Sequence, residues 1–187
     1  MNHSSPLLSR DQIRKAFRLL GERLQRRGVV ADIYVVGGAA MALAYDSRRA
    51  TRDIDAIFEP HGIVLQEARE VAIQLGLPPW WLNDQASVYV ATNDDEFAPT
   101  VFDHPGLRVL AASGEHLLAM KVLAGRRRDA EDIKVLADYL NLQTVSEVLA
   151  LCETVFPDEP VPERVRLLLA DVLRPVPTTN PVRLPLS

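Results

Sequence analysis

Hydrophobic positions near the start of the chain recur at the spacing of a helix. The segment Ser9–Arg27 carries an apolar residue every three or four positions, which predicts an amphipathic helix with one buried face. Ser9 and Gln12 have the spacing of a capping box, and Gly28 is typical of the residue that follows a helix end. The predicted buried face consists of Ile13, Ala16, Phe17, Leu20 and Leu24.

Two short apolar runs that follow this helix predict β-strands. The first, Ile33–Val36, ends at Gly37 and Gly38, and the second, Asp53–Phe58, ends before a proline. Ala39–Ala44 lies between the two runs and contains good helix formers, so a short helix is predicted directly after the glycines. The pattern therefore predicts a unit of strand, glycine turn, helix and second strand.

The remainder of the chain carries further helix and strand signals. Helices are predicted at residues 61–75, 113–125, 129–140, 144–156 and 161–173, and strands at residues 87–92, 100–102 and 107–111. Residues 174–187 hold four prolines and no periodicity, which is typical of a tail. The order predicts an α/β (α+β) fold with a core at residues 1–112, a helical C-terminal region at residues 113–173 and a proline-rich tail at residues 174–187.

Composition narrows the class of protein. The chain has 187 residues and is 48% apolar, which suits one folded domain and excludes a disordered chain. Its one cysteine, Cys152, excludes an intramolecular disulfide and a multi-cysteine metal site. Cys152 is predicted to be a core thiol, and Trp80, Trp81 and Tyr89 are predicted to be core residues rather than platforms on which bases stack. No apolar run approaches the roughly 20 residues of a membrane span, and the first residues do not resemble a signal peptide. We therefore expect a cytoplasmic protein with no membrane partner.

The charge distribution limits how the chain could contact nucleic acid. The formal net charge is −4, so any contact with a phosphate backbone must come from local basic patches. One such patch is Arg126–Arg128, and another consists of Arg48, Arg49 and Arg52. Each patch is either solvated surface or a phosphate-binding rim beside a reaction site.

The second predicted strand carries two carboxylates on one face. Because side chains alternate along a strand, Asp53 and Asp55 point the same way, about 7 Å apart. They repel unless a cation lies between them, and Mg²⁺ prefers oxygen ligands of this kind. Gly37 and Gly38 would let backbone amides approach a phosphate, and Thr51 adds a hydroxyl. The acid pair alone is typical of a solvated strand edge and the glycines alone of a turn, but the combination favours a functional site.

The fuller segment, GGAAMALAYDSRRATRDIDAIF, resembles the core of the minimal nucleotidyltransferase superfamily. It is similar to the AbiEii-type and MenT-type toxin nucleotidyltransferases, in whose pattern a glycine pair precedes Arg-x-Thr/Ser-x-Asp-Ile-Asp. Arg49, Thr51, Asp53 and Asp55 occupy those positions. A second segment, HLLAMKVLAGRRRDAEDIKVL, matches the family's helix with a lysine and the Arg-Asp-x-x-Asp step that opens the next helix. The residues that match there are Lys121, Arg128, Asp129 and Asp132.

The resemblance implies a fold and a set of residue roles. The fold would be a nucleotidyltransferase-like mixed β-sheet core with helices and a helical C-terminal region. Asp53 and Asp55 would bind Mg²⁺, or Mn²⁺ in its place. The catalytic residues would be Asp53, Asp55, Lys121 and Asp132. The nucleotide-binding residues would be Gly37, Gly38, Thr51, Arg52, Lys121 and Asp129.

The downstream residues leave alternatives open. Lys121 is compatible with a lysine on a solvated helix face as well as with a triphosphate clamp. Asp129 and Asp132 lie one turn apart at a helix start, so they could interact with the helix dipole, support a metal or orient Lys121. A third metal carboxylate is not identified, because Asp84, Asp103 and Asp132 are equally eligible.

The same resemblance implies a function. The chain would transfer NMP from an NTP, a pyrimidine triphosphate, to a tRNA 3′ end, as the toxin of a toxin–antitoxin pair whose antitoxin is its protein partner. Two alternatives remain. One is a nucleotidyltransferase that acts on a protein or on a small molecule such as an antibiotic. The other is a non-catalytic binding or antitoxin module that keeps the fold.

Overall fold

The structure, a computed structural model, describes residues 7–85 and 95–174. The predicted strand at residues 87–92, which includes Tyr89, and the tail beyond residue 174 lie outside the described residues. The described helices are α1 (Arg10–Arg26), α2 (Gly37–Ala40), α3 (His61–Leu75), α4 (Gly114–Ala124), α5 (Ala130–Tyr139), α6 (Val145–Val155) and α7 (Glu163–Val172). The described strands are β1 (Leu8–Ser9), β2 (Ala31–Val35), β3 (Ala50–Thr51), β4 (Ile54–Glu59), β5 (Leu82–Asn83), β6 (Thr100–His104) and β7 (Leu107–Ala111).

Five of the described strands form one mixed sheet in the order β5–β4–β2–β7–β6. The central strand β2 pairs antiparallel with β4, with Val35 opposite Ala56, and parallel with β7, with Val35 opposite Ala111. β5 runs parallel to β4, and β6 runs antiparallel to β7. A separate ribbon joins β1 to β3. A mixed sheet combined with helices confirms the predicted α/β (α+β) class.

Alternating side chains give the sheet one buried face and one more open face. In β2, Ile33 and Val35 are buried, whereas the alternate positions are exposed or half-buried. α1 and α3 pack on the buried face. There the Phe17 ring lies between Trp81 and Phe102, with centroid distances of 6.2 Å and 5.9 Å. Each such buried side chain contributes roughly 1.5–3 kcal/mol to the stability of the folded state. Packing on this face therefore stabilises the sheet, and the opposite face is left for the site.

Local sequence signals predict several helix ends correctly. The predicted capping box of Ser9 with Gln12 forms, and a second one, of Thr144 with Glu147, begins α6. Gly28 follows α1 with a left-handed φ of 69°, a conformation that glycine adopts without steric cost. These contacts reach three residues at most, which explains why the sequence alone predicts them.

Several elements differ from their predicted bounds. β4 begins at Ile54, so Asp53 lies just before the strand. The helix after β2 already starts at Gly37 and passes into a π-helical turn at Met41–Tyr45. A 3₁₀ turn at Arg127–Asp129 precedes α5. The sequence pattern does not predict the strands β1, β3 and β5, because two residues are too few to show a periodicity.

The helices α4 to α7 pack around a core that is continuous with that of the sheet. Cys152 is buried there, as predicted, and burial raises the pKa of its thiol to about 12. Trp81 is buried as predicted, but Trp80 is 46% exposed, so the core prediction is wrong for that residue. None of the helices in the described ranges has the length and apolar character to cross a lipid bilayer.

A buried carboxylate joins α1 to α3. Glu67 is 5% exposed and accepts hydrogen bonds from Arg23 Nε at 2.6 Å and from Arg27 Nη1 at 2.7 Å. Burial raises the pKa of Glu67, but the hydrogen bonds from Arg27 and Arg23 outweigh it, so the pKa lies below its ordinary value. The resulting stabilisation is complete above the pKa of the unfolded glutamate and is lost as the pH falls through the lower folded value.

We predict that Glu67→Gln lowers the free energy of unfolding by about 2 kcal/mol at neutral pH, because two guanidinium groups lose the negative charge and one acceptor oxygen of their buried partner. Urea denaturation measures this loss. Glu70→Gln is the matched control, because Glu70 is half exposed and its Oε2 lies 3.7 Å from Arg23 Nη2; its loss should stay below about 0.5 kcal/mol. Equal losses in the two variants would contradict the prediction.

Candidate active site

The sheet brings the glycine turn and the acid pair to one edge. Because β2 and β4 are antiparallel, the C-terminal end of β2 lies beside the N-terminal end of β4. Gly37 follows the first end, and Asp53 and Asp55 lie at the second, where the Val36 amide donates to the Asp55 carbonyl oxygen at 3.0 Å. β7 ends at the same edge, since it runs parallel to β2, and α4 with Lys121 follows it.

The two glycines of the turn are required for different reasons. Gly37 has a φ of 63°, in the left-handed region that glycine tolerates best, and a Cβ there would lie 3.6 Å from Asp55 Oδ2. A Cβ on Gly38 would lie 3.0 Å from Thr51 Oγ1, closer than packed side chains normally approach. The backbone of α2 can therefore lie directly against Thr51 and the acid pair.

The acid pair carries unbalanced negative charge. Both Asp53 and Asp55 are half-buried. Burial raises the pKa of Asp53, and the charge of Asp55 raises it further, while a hydrogen bond from Asn83 Nδ2 at 3.4 Å and the exposed Arg52 lower it in part. Two half-buried carboxylates that repel each other are a donor set that fits a hard cation such as Mg²⁺ and leaves other coordination positions open.

Lys121 belongs to a buried ion cluster. The residue is 8% exposed, and its Nζ donates to Asp132 Oδ2 at 2.7 Å and to Asp129 Oδ1 at 3.1 Å. The alternative of a lysine on a solvated face is therefore wrong. Both aspartates direct a carboxylate oxygen to Lys121, which agrees with the alternative in which they orient it.

Arg49 joins this ion cluster from the loop before β3. Its Nη2 donates to Asp132 Oδ1, and its Nη1 lies 3.3 Å from Glu131 Oε2. Two residues later, the Thr51 hydroxyl donates to the Asp53 carbonyl oxygen at 2.9 Å. The predicted site residues thus form two groups, and the short segment at residues 49–53 connects them. The first group contains Gly37, Gly38, Thr51, Arg52, Asp53 and Asp55, and the second contains Lys121, Asp129 and Asp132.

The structure places the three candidates for a third metal carboxylate in three different surroundings. Asp84 is exposed, with its Oδ2 2.8 Å from His61 Nε2. Asp103 lies on β6, and two strands separate β6 from β4. Both oxygens of Asp132 are bonded to cationic side chains. The side chain that does reach Asp53 is the amide of Asn83. Within the described ranges, no group of three His, Cys, Asp or Glu residues is arranged to hold a metal ion.

A second polar cluster at the same edge was not predicted. Asp95 accepts hydrogen bonds from the Tyr34 hydroxyl and the Ser113 amide, both at 2.7 Å, and its Oδ1 lies 3.2 Å from His116 Nδ1. Burial opposes ionisation of Asp95, but the hydrogen bonds from His116, Ser113 and Tyr34 hold its pKa far below the usual range. This cluster fastens the start of α4 to β2. Asp95 lies 61 positions from Tyr34 and 18 positions from Ser113, too far for any local signal to reveal these contacts.

A sequence model of the family described as nucleotidyltransferases of unknown function (DUF6036) matches residues 12–169. The chain belongs to this family. The match includes both the acid pair and the helix with Lys121, so membership of a nucleotidyltransferase family, which the resemblance implied, is confirmed. The finer assignment to the AbiEii and MenT types stays a prediction. No curated protein sequence matches the chain significantly.

Among solved structures, this family member is similar to the crystal structure of an antigenic nucleotidyltransferase-like protein from Paracoccidioides brasiliensis. The alignment covers 82% of this chain and 92% of that chain, with 18% sequence identity and a TM-score of 0.44. A likeness at this level does not bear on the chemistry of the site.

We predict that Asp53→Asn raises the melting temperature of the metal-free protein at neutral pH. A carboxylate whose folded pKa is raised favours the folded state only while protonated, and this contribution is lost as the pH rises through the folded pKa. Removal of the charge therefore relieves a cost. Thermal denaturation in a chelator measures the shift.

We predict that Mg²⁺ stabilises the wild-type protein, because a ligand that binds only the folded state stabilises it by mass action, and that Asp53→Asn removes this stabilisation. Asp103→Asn is the control and should respond to Mg²⁺ as the wild type does. An undiminished response of Asp53→Asn to Mg²⁺ would show that the ion binds elsewhere.

Proposed function

We propose that the chain transfers the NMP group of an NTP to a hydroxyl acceptor. The observation that supports this most directly is that Asp53 and Asp55 meet the Gly37–Gly38 turn at one sheet edge, in a chain of a nucleotidyltransferase family. Excess negative charge on the acid pair suits a divalent cation, and amides of a glycine turn suit phosphate oxygens. The site thus offers partners for both components of a metal–triphosphate complex.

Each group of site residues would have its own task. Asp53 and Asp55 would hold Mg²⁺, or Mn²⁺, and the bound ion would supply charge neutralisation at the triphosphate. Lys121 would donate to triphosphate oxygens while Asp129 and Asp132 hold its ammonium group in place.

The remaining contacts to nucleotide would come from the turn and the segment before β4. The backbone amides of Gly37 and Gly38, the Thr51 hydroxyl and the exposed Arg52 surround the acid pair.

In the reaction, the acceptor oxygen forms a bond to the α-phosphorus, and the bond from that phosphorus to the β-phosphate oxygen breaks. Pyrophosphate leaves, and the hydroxyl proton passes to a nearby carboxylate or to water.

For the acceptor, we propose an RNA 3′ end, specifically that of a tRNA. Arg126–Arg128 are exposed at the junction of α4 and α5, next to the Lys121 cluster. The exposed Arg164 of α7 extends this basic surface, because its Nε lies 3.7 Å from the position that a Cβ on Gly125 would occupy. Four arginines on an acidic protein are a local surface for a phosphate backbone. The preference for a pyrimidine triphosphate, the toxin role and the antitoxin partner rest on the motif resemblance alone.

The decisive experiment incubates the protein with Mg²⁺, each of the four labelled NTPs and total tRNA, and then sequences the RNA 3′ ends. We expect nucleotides added to tRNA, and a rate at least about 100-fold lower for Asp53→Ala, because loss of a metal ligand removes charge stabilisation in the transition state. Asp103→Ala should keep the wild-type rate.

Other outcomes would identify the alternatives. Label on protein, or on an added small molecule, would replace RNA as the acceptor and keep the transferase assignment. Absence of label on every acceptor, together with unchanged cellular effects of Asp53→Ala, would favour a non-catalytic module.

We also predict that replacing Arg126, Arg127 and Arg128 with Gln weakens RNA binding and leaves the KM for NTP unchanged. RNA phosphates release counterions when arginines bind them. Loss of each arginine–phosphate pair should therefore reduce, by about 1, the steepness with which the logarithm of the RNA association constant falls against the logarithm of the salt concentration. The matched control replaces three exposed basic residues of α1, which packs on the opposite face of the sheet. These are Lys15, Arg18 and Arg26. Equal weakening by both triple variants would indicate a general charge effect and contradict a defined RNA surface.

A further inference from the structure

Arg49 occupies the position between the two groups of site residues. In the sequence, Arg49 belongs to the basic patch of Arg48, Arg49 and Arg52. The side chain of its neighbour Arg48 is 84% exposed and pairs with Asp46. The side chain of Arg49 is instead 30% exposed and turns to α5, where it bonds Asp132 and lies near Glu131. Adjacent arginines therefore have different surroundings, and only one of them contacts the candidate site.

The carboxylate of Asp132 is shared between two cations from different parts of the fold. Its Oδ1 accepts from Arg49 Nη2, and its Oδ2 accepts from Lys121 Nζ at 2.7 Å. Both oxygens are occupied, so the carboxylate plane cannot rotate without breaking a charge-assisted hydrogen bond. Asp132 is mostly buried, which keeps solvent from replacing either partner. Arg49 therefore holds the carboxylate that accepts one of the two Lys121 hydrogen bonds, and Asp129 accepts the other.

The backbone around Arg49 is fixed to the acid pair on its other side. Ala50 and Thr51 form β3, which pairs with β1. The Thr51 hydroxyl bonds the Asp53 carbonyl oxygen and lies against Gly38. The short segment from Arg49 to Asp53 therefore contacts both groups of site residues.

We infer that Arg49 is a positioning residue, which acts through Asp132 to hold Lys121 in register with Asp53 and Asp55. This inference rests on the proposed nucleotidyl transfer and adds to it a residue with no contact to substrate. Its loss should reduce kcat more than it raises KM, since the acid pair and the glycine turn remain to bind nucleotide. A displacement of a catalytic group by about 1 Å can lower a rate by about 100-fold.

The experiment compares transfer kinetics of the full chain with those of Arg49→Gln, Arg49→Lys, Asp132→Asn and the double variant Arg49→Gln/Asp132→Asn. Arg48→Gln is the matched control. We expect Arg49→Gln to lower kcat by about 10-fold to 100-fold. Arg49→Lys should recover part of this loss, because an ammonium group can still bond one carboxylate oxygen of Asp132. Arg48→Gln should not change kcat. The double variant should be no slower than Asp132→Asn, because Arg49 acts through that carboxylate.

Each other result has a distinct meaning. Additive losses in the double variant, or a loss confined to KM, would show that Arg49 acts on substrate directly and would overturn the inference. Equal rates for Arg49→Gln and Arg48→Gln would do the same. Thermal denaturation of each variant identifies loss of folding, and partial rescue by Arg49→Lys at equal stability separates positioning from folding. An inactive wild-type protein would instead refute the proposed function, and this inference with it.

Discussion

The antiparallel pairing of β2 with β4 holds the candidate site together. It places the glycine turn after β2 against the start of β4, where Asp53 and Asp55 lie. A shift of one residue in this register would turn both carboxylates into the apolar layer under α1 and α3. Burial of Ile54 and Ala56 in that layer therefore fixes the direction in which the acid pair points. Packing on one face of the sheet determines the chemistry available on the other.

The two groups of site residues differ in how their charges are paired. At the sheet edge, Asp53 and Asp55 are half-buried, and burial, followed by the charge of Asp55, raises the pKa of Asp53. In the helical region, Lys121 and Arg49 meet Asp129, Glu131 and Asp132, so most of the charge is compensated within the protein. The first arrangement stores an electrostatic cost that a cation would relieve, and the second holds a lysine in one orientation. The candidate site therefore lowers the stability of the fold at the acid pair, where it would bind metal. At Lys121, where it would bind phosphate, it costs the fold little stability.

Polar clusters outside the two groups of site residues stabilise the helices and strands that position the site. Glu67 joins α1 to α3 behind the sheet, and Asp95 joins β2 to the start of α4 in front of it. Both carboxylates have a lowered pKa despite burial, because arginines bond Glu67, and His116, Ser113 and Tyr34 interact with Asp95. They therefore remain ionised at neutral pH and stabilise the fold, whereas Asp53 at the site destabilises it.

Features that depend on neighbours within about four residues can be read from the amino-acid sequence: the helices and their caps, the two main strands, the left-handed glycine turn and the acid pair on one face. They follow from backbone sterics and local hydrogen bonds. Which distant side chains meet is visible only in the folded chain. The contacts of Arg49 with Asp132, Asn83 with Asp53 and Tyr34 with Asp95 span 83, 30 and 61 positions. Such pairs depend on how helices and strands pack, and packing is an outcome of the whole chain that no short segment encodes.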